Sequence, residues 1–151
     1  MEVIMQRNDN IRIYVVDDDP DEIFFFKDAL SDAGIPNELT WFQDGQSMLS
    51  EFMAPDCMHP DMLFLDLNMP LFSGMECLRA LRNMEKLKDL TVIIYSTSSQ
   101  STDIEKTFAA GADYYLVKPG SYMSLRQILH GIIVEDTLAD KIRHDRKHFV
   151  I

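Results

Sequence analysis

Cysteine is scarce in this chain. Cys57 and Cys77 are its two examples in 151 residues, and they form neither a disulfide framework nor a metal-binding pattern. Cys77 falls in a helical pattern and reads as a small core residue; Cys57 lies in a loop and reads as a free thiol without a role. Basic charge is also short: 14 Lys and Arg stand against 25 Asp and Glu, a formal net charge of −11. A phosphate backbone needs a cationic face, so no direct contact with nucleic acid is expected. No apolar run approaches the ~20 residues of a membrane span, and residues 1–10 lack the apolar stretch of a signal peptide. A cytoplasmic protein with no membrane partner is therefore expected. Internal repeats and low-complexity linkers are absent. Residues after Glu135 are fewer than the ~50 a second domain requires, so no output domain is expected. The full sequence, 46% hydrophobic and 26% charged, has the composition of one globular domain with a proper core.

The most informative stretch is Met62-Leu63-Phe64-Leu65-Asp66-Leu67-Asn68-Met69-Pro70. A short apolar run bounded by a turn signal suits a strand buried on both faces, with Asp66 where the strand emerges. Upstream, Ile11 to Val16 is a β-branched strand that ends in Asp17-Asp18-Asp19 before Pro20. Asp19 as a cap and Pro20 at the first helical position start a helix carrying Ile23, Phe26 and Leu30, and Gly34 and Pro36 stop it. Leu39 to Gln43 is a second, shorter strand; Asp44-Gly45 opens a second helix that Pro55 ends. Ser73-Gly74 precedes a third helix. Thr91 to Tyr95 is a fourth strand with a polar break over residues 96–99. Thr102 and Glu105 suggest a capping box for a fourth helix ending near Gly111. Tyr114 to Val117 is the fifth strand, ended by Lys118-Pro119-Gly120. The last helix shows the one-face stripe Leu125, Ile128, Leu129, Ile132, Ile133, weakened by Gly131. Five alternations of strand and helix predict an α/β fold, a doubly wound parallel sheet with helices on both faces.

In such a sheet the carboxyl ends of the strands open on one rim, where ligands bind. Strand one delivers Asp17, Asp18 and Asp19 there, strand three Asp66, strand four Ser96 and Thr97, strand five Lys118. Singly these are caps, solvated charges and a turn. Together, the carboxylates would repel one another, and a hard divalent cation would relieve that repulsion. A lysine and a hydroxyl suit phosphoryl oxygens, and a carboxylate can itself become phosphorylated. The set describes a phosphoryl-transfer site.

Val16-Asp17-Asp18, Phe64 to Pro70 with Gly74, Ser96, and Gly111 to Pro119 (GADYYLVKP) resemble, in order and spacing, the receiver domain of bacterial two-component response regulators. The resemblance implies a flavodoxin-like, five-stranded sheet of order 2-1-3-4-5. It divides the chain into an N-terminal extension (1–10), a receiver domain (11–135) and a C-terminal tail (136–151). Asp66 would accept a phosphoryl group from a histidine kinase or histidine phosphotransfer protein. Asp17, Asp18, Asp66 and the backbone carbonyl of Asn68 would bind Mg²⁺ (or Mn²⁺). Ser96 and Lys118 would contact the phosphoryl oxygens. Tyr115 would change rotamer with Ser96 and remodel the surface of the fourth helix, fifth strand and fifth helix, a surface open to a downstream protein or to homodimerisation.

Departures from the family pattern are Ser96 in place of a commoner threonine, Thr97 in place of a small residue, and Gly120 after Lys-Pro. Leu71 and Phe72 are apolar in a loop and either pack locally or meet a partner. Phe24-Phe25-Phe26 cannot all face inward on one helix. Lys141, Arg143, His144, Arg146, Lys147 and His148 give the tail a basic cluster, either a solvated helix end or a docking element for an acidic partner or a second copy. His144 and His148 lack a third ligand, so no metal site is expected there. A phosphatase of the haloacid dehalogenase type is the main alternative. It would want an acid two positions after the nucleophile, where this chain has Asn68. A flavodoxin-like cofactor binder would want a phosphate loop after strand one, where three acids would repel a bound phosphate. An inactive scaffold is disfavoured because the acceptor, metal acids, hydroxyl and lysine are all present.

Overall fold

The computed structural model describes residues 10–135 and 144–151. Five strands, β1 (Ile11–Val16), β2 (Asn37–Phe42), β3 (Met62–Leu65), β4 (Val92–Ser96) and β5 (Tyr114–Val117), alternate with α1 (Pro20–Asp32), α2 (Gly45–Met53), α3 (Gly74–Arg82), α4 (Ser101–Ala109) and α5 (Tyr122–Ile133). The strands pair in parallel in the order β2-β1-β3-β4-β5, as expected of the receiver fold.

Alternation along each strand divides the apolar residues between two layers. Ile13, Val15, Phe64, Ile93, Tyr95, Tyr114 and Leu116 meet α1 (Ile23, Phe26, Leu30) and α5 (Leu125, Leu129, Ile132). Tyr14, Val16, Leu63, Leu65, Val92, Ile94 and Tyr115 meet α2, α3 and α4 through Met48, Phe52, Cys77, Leu78, Leu81 and Phe108. Leu63, Phe64 and Leu65 are fully buried, because β3 lies at the centre with helices on both sides. Of the three consecutive phenylalanines, Phe26 packs edge-on against Phe64 at 4.9 Å, while Phe24 and Phe25 stay 61% and 54% exposed.

Helix starts follow the local chemistry with one exception. Asp19 caps α1 by accepting from Asp21 N at 2.9 Å, with Pro20 as the first helical residue, and Asp44 caps α2 through Ser47 N at 2.7 Å. The capping box expected at Thr102 and Glu105 does not form. Gln100 precedes α4 without a side-chain cap bond, Thr102 already lies inside the helix, and Glu105 is engaged by Arg146. A reciprocal box of this kind is built instead on α3, between Ser73 and Glu76. The strands also shift slightly from expectation. β2 begins earlier because its ladder with β1 starts at Asn37 opposite Ile11, and β4 extends through Ser96, which faces Val117.

Gly74 is required by contact with backbone. The α3 N-terminus approaches the loop after β3 so closely that a Cβ on Gly74 would lie 2.1 Å from the Asp66 carbonyl oxygen and 2.6 Å from Leu67 Cα, while Gly74 N donates to Leu67 O at 3.1 Å. Gly74→Ala should therefore push the Asp66–Leu67 backbone aside and destabilise the fold by about 1–3 kcal/mol. Urea unfolding checks this, and an unchanged midpoint would show that the approach is looser than described.

Candidate functional site

Three strand ends converge at one rim. Asp17 follows β1, Asp66 follows β3 and Lys118 follows β5, with Lys118 N donating to the Ser96 carbonyl at 2.7 Å to fix the β4–β5 junction. Ligand atoms of Asp17, Asp18 and Asp66 lie within 4.8 Å of one another. Asp17 and Asp66 are buried and Asp18 faces solvent, so the cluster is sealed below and open above.

Lys118 organises this cluster. Its Nζ donates to Asp17 Oδ2 at 2.9 Å and stands 3.8 Å from Asp66 Oδ2 and 3.9 Å from Glu22 Oε2. The ring of Tyr95 lies beneath the ammonium at 5.3 Å, within cation–π range. Burial works against the Lys118 charge. The hydrogen bond to Asp17 and the charges of Asp66, Asp17 and Glu22 outweigh it and raise its pKa. Asp17 is held on several sides: Oδ1 accepts from Asp19 N at 2.9 Å, and its backbone carbonyl accepts from Trp41 Nε1 at 2.8 Å.

Asp66 is held more loosely. Its Oδ1 accepts from Asn68 N at 3.3 Å, leaving Oδ2 directed toward Lys118 without a close bond. Burial, together with the charges of Asp17 and Asp18, raises its pKa from 3.8 to about 6 despite Lys118 and the Asn68 amide. Asn68 itself is exposed. Ser96 is fully buried, and its Oγ accepts from Ser98 N at 3.1 Å. Tyr115, also fully buried, donates its hydroxyl to Ser98 O at 2.8 Å. The turn over residues 96–98 thus joins Ser96 and Tyr115. Burial raises the Tyr115 pKa against the opposing effect of its bonds to Ser98 and Ser96.

The family model for the response regulator receiver domain matches residues 13–130. The chain belongs to that family. Its relatives include the chemotaxis protein CheY-3 of Vibrio cholerae, 31% identical over 132 residues that cover 87% of this chain and 97% of that one. The transcriptional regulatory protein PrrA of Mycobacterium tuberculosis is 36% identical over 108 residues, 72% of this chain, which spans only 43% of PrrA. Among solved structures, the phosphorylated cyanobacterial phytochrome response regulator RcpA superposes with a TM-score of 0.77 at 27% identity, covering 89% of this chain and 99% of that one. Receiver domains are signalling modules of two-component systems rather than classical enzymes. No helix among the described residues is long and apolar enough to cross a membrane.

Sequence reasoning missed Glu22, Tyr95 and Trp41 at this rim. Glu22 stands one helical turn after Asp18, a spacing that could have flagged it. Tyr95 was hidden in an apolar strand, and Trp41 in a half-exposed one. Thr97 is exposed and Leu71 is fully so, whereas Phe72 packs locally over Gly45.

The raised Asp66 pKa has a thermodynamic sign. The folded protein holds that proton more tightly than the unfolded chain, so the stabilising contribution is complete below about pH 4 and is lost as pH rises through about 6. In metal-free protein, Asp66→Asn should raise the melting temperature near neutral pH by several degrees, on the order of 2 kcal/mol. Near pH 4 it should give no gain. A gain of equal size at both pH values would mean that packing, not ionisation, is responsible.

Proposed function

We propose that this chain acts as a cytoplasmic response regulator that accepts a phosphoryl group on Asp66 from a histidine kinase or a histidine phosphotransfer protein. The observation that carries the reading is Lys118, whose ammonium reaches both Asp17 and Asp66 at the rim where Asp18 completes an acidic cluster. In the transfer, an Asp66 carboxylate oxygen forms the new O–P bond as the P–N bond to the donor imidazole breaks. The departing electron pair stays on the imidazole nitrogen, which takes up a proton. Lys118 neutralises a phosphoryl oxygen as Asp66 gives up its own charge, and Ser96 offers a hydroxyl to another. Like charges on Asp17 and Asp18 would otherwise oppose an incoming phosphoryl group.

An all-oxygen donor set of three clustered carboxylates fits Mg²⁺ or Mn²⁺, which receiver domains bind at such an acidic pocket. Asp17, Asp18, Asp66 and the backbone carbonyl of Asn68 would hold the ion, which supplies charge neutralisation for the phosphoryl oxygens. Phosphorylation then acts as a conformational bias, because groups able to reach the new oxygens gain contacts by moving. Ser96 and Tyr115, joined through Ser98, are the elements that would carry the change to the α4–β5–α5 surface. That surface would serve a downstream protein, onward phosphoryl transfer or a homodimer.

Incubation with a small acyl phosphate and Mg²⁺ should give a single acid-stable, base-labile adduct on Asp66, absent from Asp66→Asn and abolished by chelation. Peptide mapping checks it, and a modification at another residue that survives Asp66→Asn would overturn the assignment. Metal titration gives a second check. Asp18→Ala should weaken Mg²⁺ binding roughly tenfold or more, whereas Asp19→Ala, which removes a helix cap, should change it little; equal losses would count against Asp18 as a ligand.

A further inference from the structure

Beyond the receiver fold, the last residues of the chain return to the sheet. Tyr115 N donates to Phe149 O at 2.8 Å, and Ile151 N donates to Tyr115 O at 2.9 Å, so residues 149–151 run parallel to β5 and bridge Tyr115 with Val150. Phe149 is fully buried, with its ring 5.2 Å from Phe108 of α4 and 6.1 Å from Tyr115. His144 stacks on Phe108 at 4.3 Å and 7° between planes, and its Nδ1 lies 2.9 Å from Ala112 O. Arg146 grips Glu105 of α4 through Nε and Nη2 at 2.6–3.1 Å. Lys141 and Arg143, part of the basic cluster, lie outside the described residues. The described part of that cluster is therefore no bare helix end, since Arg146 already has an acidic partner within its own chain.

The residue that receives this segment is Tyr115. Its backbone carries both strand hydrogen bonds, while its hydroxyl is tied to Ser98 O and, through the Ser98 amide, to Ser96 Oγ. We propose that residues 144–151 form a strap whose docking on α4 and β5 reports the state of Asp66: closed when Asp66 is bare, loosened when it is phosphorylated. This rests on the phosphoacceptor reading given above. A Ser96 hydroxyl that turns toward a phosphoryl group leaves the Ser98 amide. The 96–98 turn then rearranges, the acceptor of the Tyr115 hydroxyl shifts, and the ring against Phe149 moves with it. Close-packed aromatic contacts of this kind do not deform gradually, so a small shift favours release. Coupling is reciprocal, so a strap held closed also disfavours the phosphorylated form.

The test reads the amide hydrogens of Tyr115 and Ile151, which the strand bonds protect, by hydrogen exchange in full-length protein before and after treatment with a small acyl phosphate. Intact mass counts the adduct in the same samples. Exchange at both amides should quicken at least about fivefold in the adduct-bearing protein. Adduct formation with unchanged exchange at both amides would overturn the strap while leaving the phosphoacceptor reading intact. Failure of any adduct to form would overturn both. Arg146→Glu, which sets two acids against each other on the surface, should quicken exchange without phosphorylation and tighten beryllofluoride binding. The exchanged pair Glu105→Arg with Arg146→Glu should restore both values. Quickened exchange with unchanged beryllofluoride affinity would show a strap uncoupled from Asp66 and would also overturn the proposal.

Discussion

The structure depends on one electrostatic constraint: acids brought together at the rim of a parallel sheet must be balanced, and among the described residues the Lys118 ammonium does so. Two of them, Asp17 and Asp66, are buried, and Lys118 reaches across from β5 to both. The sheet order makes this geometry available. β1 and β3 are neighbours, so their terminal acids lie side by side, while β4 separates them from β5 and only a long side chain can span the gap. Lysine has that length and carries a compact, rotatable charge. Asp17 takes the close bond and Asp66 the distant one, and burial, only partly offset by Lys118, leaves Asp66 with an elevated pKa.

Supporting contacts divide the labour. Asp17 is pinned by the Asp19 amide and by Trp41 below it. Tyr95 closes the apolar side of Lys118 while packing edge-on against Phe26 and Phe64. Ser96 belongs to a different network, bonded to the Ser98 amide. A tightly held Asp17, a loosely held Asp66 and a Ser96 hydroxyl bonded within its own turn form an arrangement in which one element can change without dismantling the others.

Much of this was legible in the sequence, because the decisive residues sit at the ends of strongly patterned strands. The uninterrupted run before Asp66 marked a central strand, and the alternation of elements fixed the rim that Asp17, Asp18 and Lys118 would share. Where the pattern weakened, so did the reading. β2 is a half-exposed edge whose alternation blurs its start, and its ladder with β1 sets the boundary instead. The expected cap at Thr102 had suitable residue types but lay inside the helix, and Glu105 was taken by Arg146, a partner 41 residues away that no local rule could supply. Residues 149–151 were equally opaque. Three apolar residues after a basic stretch carry no strand signature until β5 gives them a neighbour.

That pairing also affects how the molecule behaves in a crowd. An exposed sheet edge is a template for other chains, and indefinite stacking requires each copy to offer two of them. Here the outer edge of β5 is occupied from within by Phe149 and Ile151, so the border on that side shrinks to this three-residue segment, while β2 is the full-length outer strand among the described residues. Edge-to-edge association through the sheet is thereby weakened on the β5 side, because so short a border gives an added strand few hydrogen-bonding partners.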